Sequence, residues 1–571
     1  MKNSDVVDIL EKFADVLEFK GEVGFKINAY RKAARTITDL TEDIDKVWQE
    51  GRLGEIDGVG KALQEKIGQF LSTGRIRQLD EHLTTVPKEL FKLLDIHNFG
   101  PKTAALAYKE LGIDTLENLR EAIDNGSLAK LAGMGPKKVE NIKKSLELHD
   151  LAEKRISIGM ATVIVAEVID FLQKKAGDKI GRISPAGSVR RYKETVHDID
   201  ILVETEHGED VIKIFTTFPH VTRILGAGAT KGSVLLDDRF QVDLRAIPAE
   251  SYGAAQQYFT GSQAHNVKLR EMARKQGYKV NEWGLFRGEE KIAGAHESDV
   301  YENLGLQWMP PELREDRGEI EAAAERKIPE LVSLEDVQAD LHMHTTNSDG
   351  HHPLEELVGY VQKRGYSYMA VCDHSKSAMY ANGLNEERVL AEVEAIRKLN
   401  ETLAGFFVLA GIEVDILPDG SLDFDDTILA QLDFVVASIH SAFKTNPTMR
   451  TIAAMENKYV DVIGHPTGRL ISRREGFELD VDKVLDVAAK TGTALEVNSF
   501  WDRLDLNDVN IRNAVNRGVK ISINTDTHHE RHLSMMALGV GTARRGWARK
   551  PDVINTLSLD ELKAWQKRHR L

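Results

Sequence analysis

Seven times between Val337 and Thr527 a short apolar run ends in a polar cluster: QADLHMHTTNSD, YMAVCDHS, FVLAGIEVD, FVVASIHS, VDVIGHPTG, ALEVNS and KISINTDTHH. Each run reads as a buried parallel strand entering a loop, with helical stretches such as Pro353–Lys363 and Glu386–Leu399 between them. Such alternation argues for a parallel βα barrel, whose chemistry sits at the C-terminal ends of its strands. His342 and His344 are two apart, as are Asp526 and His528, so each pair points to one side of its strand. Glu413, His440 and His465 end the third, fourth and fifth runs, while Asp349 and His374 follow the first and second. Imidazoles and carboxylates at corresponding ends of six runs are the mark of a metalloenzyme.

A chain of 571 residues is too long for one core and predicts about three to five domains. Hydrophobic residues make up 42% and charged residues 29%, an ordinary globular balance. No apolar run reaches about 18 residues, which excludes a membrane-spanning helix. The start MKNSDVVDILEKF is an acidic amphipathic helix without a signal-peptide core. The single cysteine, Cys372, offers no disulfide framework and suits a reducing cytoplasm; inside YMAVC it reads as a buried strand position. A cytoplasmic monomer with no membrane partner is expected. The net charge of −15 is an average over domains, whereas a polyanion meets local patterns. Basic residues gather at Arg31, Lys32 and Arg35; at Lys137, Lys138, Lys143 and Lys144; at Lys268, Arg270, Arg274 and Lys275; and at Arg469, Arg473 and Arg474.

Three N-terminal segments share one layout. LGEIDGVGKALQEKIGQFL and LAKLAGMGPKKVENIKKSL each place a GxG turn before an amphipathic helix, and LLDIHNFGPKTAALAYKEL does so with Asn98 at the first glycine position. Glycine permits the tight turn and lets N–H groups of the next helix approach a phosphate. The lysines just inside those helices add charge without sequence information. One such turn is ordinary helix capping. Three make Gly58, Gly60, Gly100, Gly133 and Gly135 candidate contacts for non-specific DNA binding.

The middle of the chain carries a second carboxylate site. In GRISPAGSVRRYKETVHDIDILV a strand enters Gly187-Ser188, a short helix carries Arg190 and Arg191, and the next strand presents Asp198 and Asp200 on one side. Asp243, in FQVDLRAI, would complete a three-carboxylate cluster that only cations can hold together. Oxygen ligands of this kind suit Mg²⁺, and two such ions about 4 Å apart would serve an attacking 3′-hydroxyl and a departing pyrophosphate. Exposed aspartates on an edge strand would leave the GSxRR segment immediately upstream unexplained.

GSVRRYKETVHDID, followed by YFTGSQAHNVKLR, resembles the family X DNA polymerases over about residues 4–316. The region from about 338 to 571 resembles the polymerase and histidinol phosphatase (PHP) domain, and the tandem is similar to bacterial and archaeal family X repair polymerases. The resemblance implies a multidomain fold: helical helix–hairpin–helix domains, an α+β nucleotidyltransferase palm with a thumb, and an α/β PHP barrel of (βα)7 type. It implies Asp198, Asp200 and Asp243 as catalytic metal ligands, with Arg155, Gly187, Ser188 and Arg191 against the incoming nucleotide's phosphates. Tyr258, Phe259 and Gly261 would flank its sugar, Asn266 its base, and Arg270 the template strand. Gln241 departs from the arginine the family often carries there, which would weaken the metal-free arrangement of Asp243 but not its metal binding.

The same resemblance places Lys66 at the Schiff-base position of a 5′-deoxyribose phosphate lyase, supported by Lys26 and Tyr30. Such a lysine needs a lowered pKa. Matching the PHP pattern, His342, His344, Glu413 and Asp526 would hold one ion, with Glu413 bridging to a second on His440 and His465. Asp349, His374 and His528 would hold a third. Mixed imidazole and carboxylate ligands suit Mn²⁺ or Zn²⁺. Arg469, Arg473 and Arg474 are expected to hold the DNA backbone beside this centre.

The expected division is a lyase-like hairpin domain at 1–85, a fingers-like hairpin domain at 86–150, a palm at 151–248, a thumb at 249–318, a charged linker at 319–337 and the barrel at 338–571. The implied activity is addition of dNTPs to a primer 3′ end in short DNA gaps, with 3′–5′ trimming by the barrel. The rivals are a barrel that serves as a small-molecule phosphatase and a polymerase half that only binds DNA.

Overall fold

Val6, Leu10, Phe13 and Leu17 recur every three or four residues along the helix Asn3–Phe19 of the computed structural model. They meet Ile27, Tyr30, Ala34 and Ile37 of the helix Gly24–Thr38 in one apolar core. The structure describes the chain except residues 1–2, 39, 41–43, 57, 88, 95, 97–98, 153–154, 472–475 and 568–571. Asn98, Arg473 and Arg474 therefore lie outside the described residues, as do the side chains of Arg35 and Lys144. The chain divides into two units, Met1–Arg155 and Ile156–Leu571.

In the first unit the three expected turns each join a short helical element to a longer helix. The pairs are Leu53–Glu55 with Lys61–Thr73, Leu90–Leu94 with Pro101–Leu111, and Leu128–Lys130 with Pro136–Ala152. Gly58 and Gly133 have φ of 84° and 76°, the left-handed region that glycine enters without strain. Gly60 and Gly100 cap the helices that follow them.

The second unit opens with the short antiparallel pair β1 (Ile156–Ser157) and β3 (Thr195–Val196). A five-stranded sheet follows, built from β2 (Ile183–Pro185), β4 (Ile199–Glu204), β5 (Val221–Ala227), β6 (Lys231–Leu236) and β7 (Phe240–Ile247), in the order β2-β4-β7-β6-β5. Alternation sorts its faces. Ile199, Ile201, Val203, Val242 and Leu244 pack with the helices Ile158–Ala176 and Gly208–Phe215. That leaves Asp200 and Asp243 together on the opposite face, as direct partners in the parallel β4–β7 register. Beyond β7 come the helices Tyr252–Thr260 and Gln263–Lys275 and an antiparallel sheet of β8 (Lys279–Asn281), β9 (Gly284–Arg287) and β10 (Glu290–Ala293). The segment 319–337 is not a loose linker. It contains the helix Glu319–Ala324, and Ile320, Ala323, Ile328 and Leu331 join the core formed by Leu269, Leu285 and Tyr301.

Seven parallel strands then follow in sequence order: β11 (Ala339–Met343), β12 (Tyr368–Val371), β13 (Phe407–Asp415), β14 (Phe434–Ser438), β15 (Val462–Ile463), β16 (Ala494–Asn498) and β17 (Ile521–Asn524). The bridge between Met343 and Thr527 brings the last strand end back to the first. Side chains along β13 sort by parity. Val408, Ala410, Ile412 and Val414 join the large core that includes the surrounding helices. Leu409 enters a second, smaller apolar cluster, and Glu413 and Asp415 follow it on the same side toward the strand's C-terminal end. Cys372 is buried and free, as its place in the apolar run implies.

Candidate functional site

All nine expected barrel ligands converge. Glu413 is the hub: its Oε2 lies 2.9 Å from His374 Nδ1, 3.4 Å from His342 Nε2 and 3.8 Å from His344 Nε2. Its Oε1 lies 3.1 Å from His465 Nε2 and 3.4 Å from His440 Nε2. Asp526 Oδ1 stands 3.1 Å from His344 Nε2, and Asp349 Oδ1 stands 3.2 Å from His528 Nε2 and 3.6 Å from His374 Nε2. Eight of the nine fall into three overlapping groups of possible ligand atoms, His342/His344/Asp526, His374/Glu413/His440 and His344/Asp349/His374/His528; His465 belongs to none of them, and a separate group, His352/His529/Glu530, lies outside the expected set. His465 and Asp526 sit at φ of 26° and 53°, strained backbone of the kind that persists where surrounding structure holds it for function.

This cluster is built for cations. Buried His342 Nε2, His344 Nδ1, His374 Nδ1, His465 Nδ1 and Glu413 Oε1 have no hydrogen-bond partner in the protein. A fully unpaired buried group costs about 1–3 kcal/mol; the opposite charges beside His342, His374 and Glu413 offset part of that, and coordination would relieve the rest. Burial would raise the Glu413 carboxyl, but His440, His342 and His374 hold it well below the usual range. Burial likewise opposes charge on His440, yet Glu413 and Asp415 push it up to about 10. His344 goes the other way, to about 4, through burial and the neighbouring His528 and His374. The outer nitrogens are fixed from behind. His342 Nδ1 donates to Glu496 at 2.7 Å, His440 Nδ1 to Asp415 at 3.1 Å, and His528 Nδ1 to the Asp526 carbonyl at 2.8 Å.

Glu496 is the residue that sequence reasoning passes over, because ALEVNS is the one run without a ligand. It is fully buried and also accepts from the His465 backbone N–H at 2.6 Å and from Asn524 Nδ2 at 2.9 Å. A lone glutamate inside an otherwise apolar strand is the signal that could have found it. Arg469 corrects an expectation. Its guanidinium bonds Glu194 at 2.7 Å and the Arg503 carbonyl at 2.9 Å, so it ties the barrel to the palm instead of offering itself to DNA.

In the palm, Asp243 is held from two sides: Gln241 Nε2 donates to Oδ1 at 3.1 Å and Lys231 Nζ lies 2.6 Å from Oδ2. Lys231, on the neighbouring strand β6, thus supplies the positive charge that Gln241 lacks. Burial, Asp198 and Asp243 push the Asp200 carboxyl up to about 7. Gly187 has φ of 58°, and a Cβ there would lie 2.4 Å from Asp200 Oδ2, so only glycine brings the turn with Ser188 so close to the carboxylates. Arg245 stacks over Phe259, 4.0 Å from its centroid, and Phe259 meets Tyr258 edge to face. Asn266 donates to the Tyr258 carbonyl at 2.7 Å and accepts from Gln257 at 2.8 Å. Arg270 is exposed, and so is Arg155, which ends the first unit.

Arg191 is the best-anchored of the expected phosphate contacts. Its Nε donates to Glu315 at 3.0 Å, and its guanidinium also reaches the Thr260 carbonyl. Arg545, from the barrel helix Met536–Arg545, donates to the Arg191 carbonyl at 2.7 Å and to Glu315 at 3.0 Å. It also pairs with Asp508 at 2.7 Å, which Arg317 joins at 3.1 Å. Palm, thumb and barrel thus share one partly buried chain of charges centred on the buried Arg545.

In the first unit, Lys66 Nζ donates to the Ala62 carbonyl at 3.2 Å. Burial lowers its pKa, and Lys26 adds to the effect against Glu65. Tyr30 is buried beside Phe13, with ring centroids 4.6 Å apart.

Comparison with known proteins agrees with this architecture. A helix-hairpin-helix domain family matches residues 1–76, a SAM-like helix-hairpin-helix tandem 90–148, the DNA polymerase beta thumb 255–315 and the PHP domain 340–500. The chain is 38% identical to the DNA polymerase/3′-5′ exonuclease PolX of Bacillus subtilis (strain 168), over the full length of both chains. It is 24% identical to DNA polymerase lambda of Arabidopsis thaliana, over 55% of this chain and 62% of that one. A probable phosphatase of Thermoanaerobacter sp. (strain X514) is 31% identical over 33% of this chain and 78% of its own. Identity over full length, with the hairpin, thumb and PHP matches in one order, settles the kinship: this chain belongs to the family X DNA polymerases that carry a C-terminal PHP domain.

Proposed function

We infer that the chain is a DNA repair polymerase that extends a primer 3′ end in short gaps and trims 3′ ends with its barrel. The observation that carries this is the 38% identity, over the whole of both chains, to a polymerase that is also a 3′-5′ exonuclease. The phosphatase reading of the barrel rests on 31% identity to a probable phosphatase, against 38% identity over the whole chain, barrel included, to the polymerase and exonuclease.

Both activities depend on divalent metal. Asp198, Asp200 and Asp243 would hold Mg²⁺ in the palm, and the nine barrel ligands Mn²⁺ or Zn²⁺. Bound ions lower the pKa of an attacking hydroxyl or water and neutralise charge on phosphate oxygens. The protein's own part is positional. Gly187 and Ser188 offer backbone N–H groups to the outer phosphates, and Arg191 adds a fixed charge. The Tyr258–Gly261 backbone crowds the sugar, Asn266 meets the base and Arg270 the template. In the barrel, Glu496 and Asp415 keep the His342 and His440 rings aimed at the cluster. Lys66, its pKa lowered by burial with Lys26 adding to the effect, would attack the aldehyde carbon of a 5′-deoxyribose phosphate through its neutral amine and lose water to form an imine. No described helix is long and apolar enough to cross a membrane. A cytoplasmic monomer acting on DNA and dNTPs is the reading we adopt.

The test is primer extension on gapped DNA in Mg²⁺ or Mn²⁺, with and without dNTPs. Asp198→Ala with Asp200→Ala should abolish extension and leave 3′–5′ degradation intact. Loss of both activities in a folded variant would refute the two-site reading.

A further inference from the structure

The loop that follows the ligand His374 carries two large apolar side chains in solvent. Met379 is 86% exposed and Tyr380 74%, more than any other large hydrophobic residue described in the second unit. Water-exposed apolar surface of this kind, set beside a catalytic centre, points to a ligand. The Tyr380 ring centroid lies 6.3 Å from that of His374 and 6.5 Å from that of His440. The ring therefore stands at the rim of the metal cluster, within one nucleotide's reach of a phosphate bound there.

The loop is held rigidly, so the exposure is not that of a loose segment. Its flanks, Ala378 and Ala381, are each 1% exposed and anchor the Met379–Ala381 turn. Leu384 N–H donates to the His374 carbonyl at 2.7 Å, and Gly383 N–H to the Ala378 carbonyl at 3.1 Å. Arg388 clamps the Asn382 carbonyl at 2.9 Å and the Gly383 carbonyl at 3.1 Å, while Asn382 Nδ2 reaches the Asn347 carbonyl at 3.0 Å. At Gly383 a Cβ would lie 1.9 Å from the Ser375 carbonyl oxygen, so the chain passes there with no room for a side chain. A fixed backbone that holds an aromatic face in water is a pre-organised platform: it costs little further ordering when a planar partner arrives.

We propose that Tyr380, with Met379 beside it, is the stacking subsite for the nucleobase at the DNA 3′ end whose phosphodiester the barrel hydrolyses. This rests on the exonuclease reading of the barrel. Stacking accepts every base because each has a π-face, so the platform confers affinity for a nucleotide end without sequence preference. A phosphate ester without a planar base would gain nothing from it.

Two single-stranded oligonucleotides separate the platform from the chemistry. One ends in a normal 3′ nucleotide; the other ends in a tetrahydrofuran residue that has the same phosphodiester but no base. Wild type should prefer the normal end. Tyr380→Ala should lower kcat/KM on that end by about 5- to 150-fold, chiefly through KM, and leave the abasic end unchanged. Tyr380→Phe should keep the preference, because the ring and not the hydroxyl stacks. Equal slowing of both ends by Tyr380→Ala, with unchanged metal content, would overturn the platform and make Tyr380 a support of the cluster. An equal wild-type rate on both ends would also overturn it. If wild type degraded neither end, the exonuclease reading itself would fall and the platform with it.

Discussion

Arg545 is where the barrel reaches Arg191, the proposed phosphate contact, so its removal should be felt there. Its side chain is 3% exposed and serves two carboxylates, Glu315 at 3.0 Å and Asp508 at 2.7 Å. Breaking one buried pair by deleting a partner costs about 3–5 kcal/mol. Each carboxylate here keeps a second cation, Arg191 for Glu315 and Arg317 for Asp508. Arg545→Ala should therefore fall near the lower bound, about 3 kcal/mol. Part of that loss lands on Arg191, whose carbonyl loses its donor and whose partner Glu315 is left to it alone. One net hydrogen bond of about 1 kcal/mol corresponds to roughly a fivefold rise in KM for dNTP. Single-nucleotide gap filling should show that rise, nuclease turnover should stay within about twofold, and thermal unfolding should shift down. Arg545→Lys should recover only part of the effect, because an ammonium cannot fork between two carboxylates. An unchanged KM and an unchanged melting curve in Arg545→Ala would refute the idea that this charge chain supports the nucleotide pocket.

Further outcomes follow from the same geometry. Glu413→Ala and His440→Ala should both lose nuclease activity and keep gap filling, but Glu413→Ala should retain fewer ions per chain after dialysis, measured by elemental analysis. Full metal content and nuclease rate in Glu413→Ala would contradict its hub position. Borohydride trapping on incised abasic DNA should cross-link the wild type and fail with Lys66→Ala; equal trapping would move the nucleophile elsewhere. Burial raises the Glu315 carboxyl, but Arg545, Arg191 and Lys193 outweigh it and hold it at about 2 against an ordinary 4.5. A depressed carboxyl stabilises the fold above pH about 4.5, and that contribution is lost as pH falls toward 2. Acid titration of Glu315→Gln should lack this component of the melt. With Asp200 at about 7, protons compete with cations below neutrality, so the Mg²⁺ midpoint for gap filling should rise by up to about tenfold per pH unit there.

The barrel, and the convergence of its nine candidate ligands, were legible because strand ends are local. A histidine or carboxylate that interrupts an apolar run stands out, and period two assigns its side. The three hairpins were legible for a similar reason, since glycine marks a left-handed turn such as those at Gly58 and Gly133. What stayed hidden depends on distance in the chain. Arg191, Glu315, Asp508 and Arg545 share no period, and their pairing exists only once the barrel packs against the palm and thumb. Segment 319–337 reads as a linker because charge dominates its composition, yet the four apolar residues Ile320, Ala323, Ile328 and Leu331 suffice to dock it. Glu496 and Asp415 act through a histidine and not at the cluster itself, so no ligand spacing announces them.

The two carboxylate centres balance their charge with different groups, and the difference bears on how each is loaded. In the palm, Lys231 sits on Asp243 and a raised pKa lets Asp200 take up a proton. That centre carries its own counter-charge, so its ions are expected to leave more readily. In the barrel no lysine or arginine lies within ion-pair range of Glu413 among the described contacts; imidazoles balance it, His440 raised to about 10 among them, Arg503 stands 3.9 Å from Asp526, and several buried atoms have no hydrogen-bond partner. Emptying that centre leaves unmet several hydrogen-bonding groups at about 1–3 kcal/mol each. Its ions should therefore survive dialysis that strips the palm, and chelation that removes them should lower the melting temperature of the second unit more than loss of the palm ions alone.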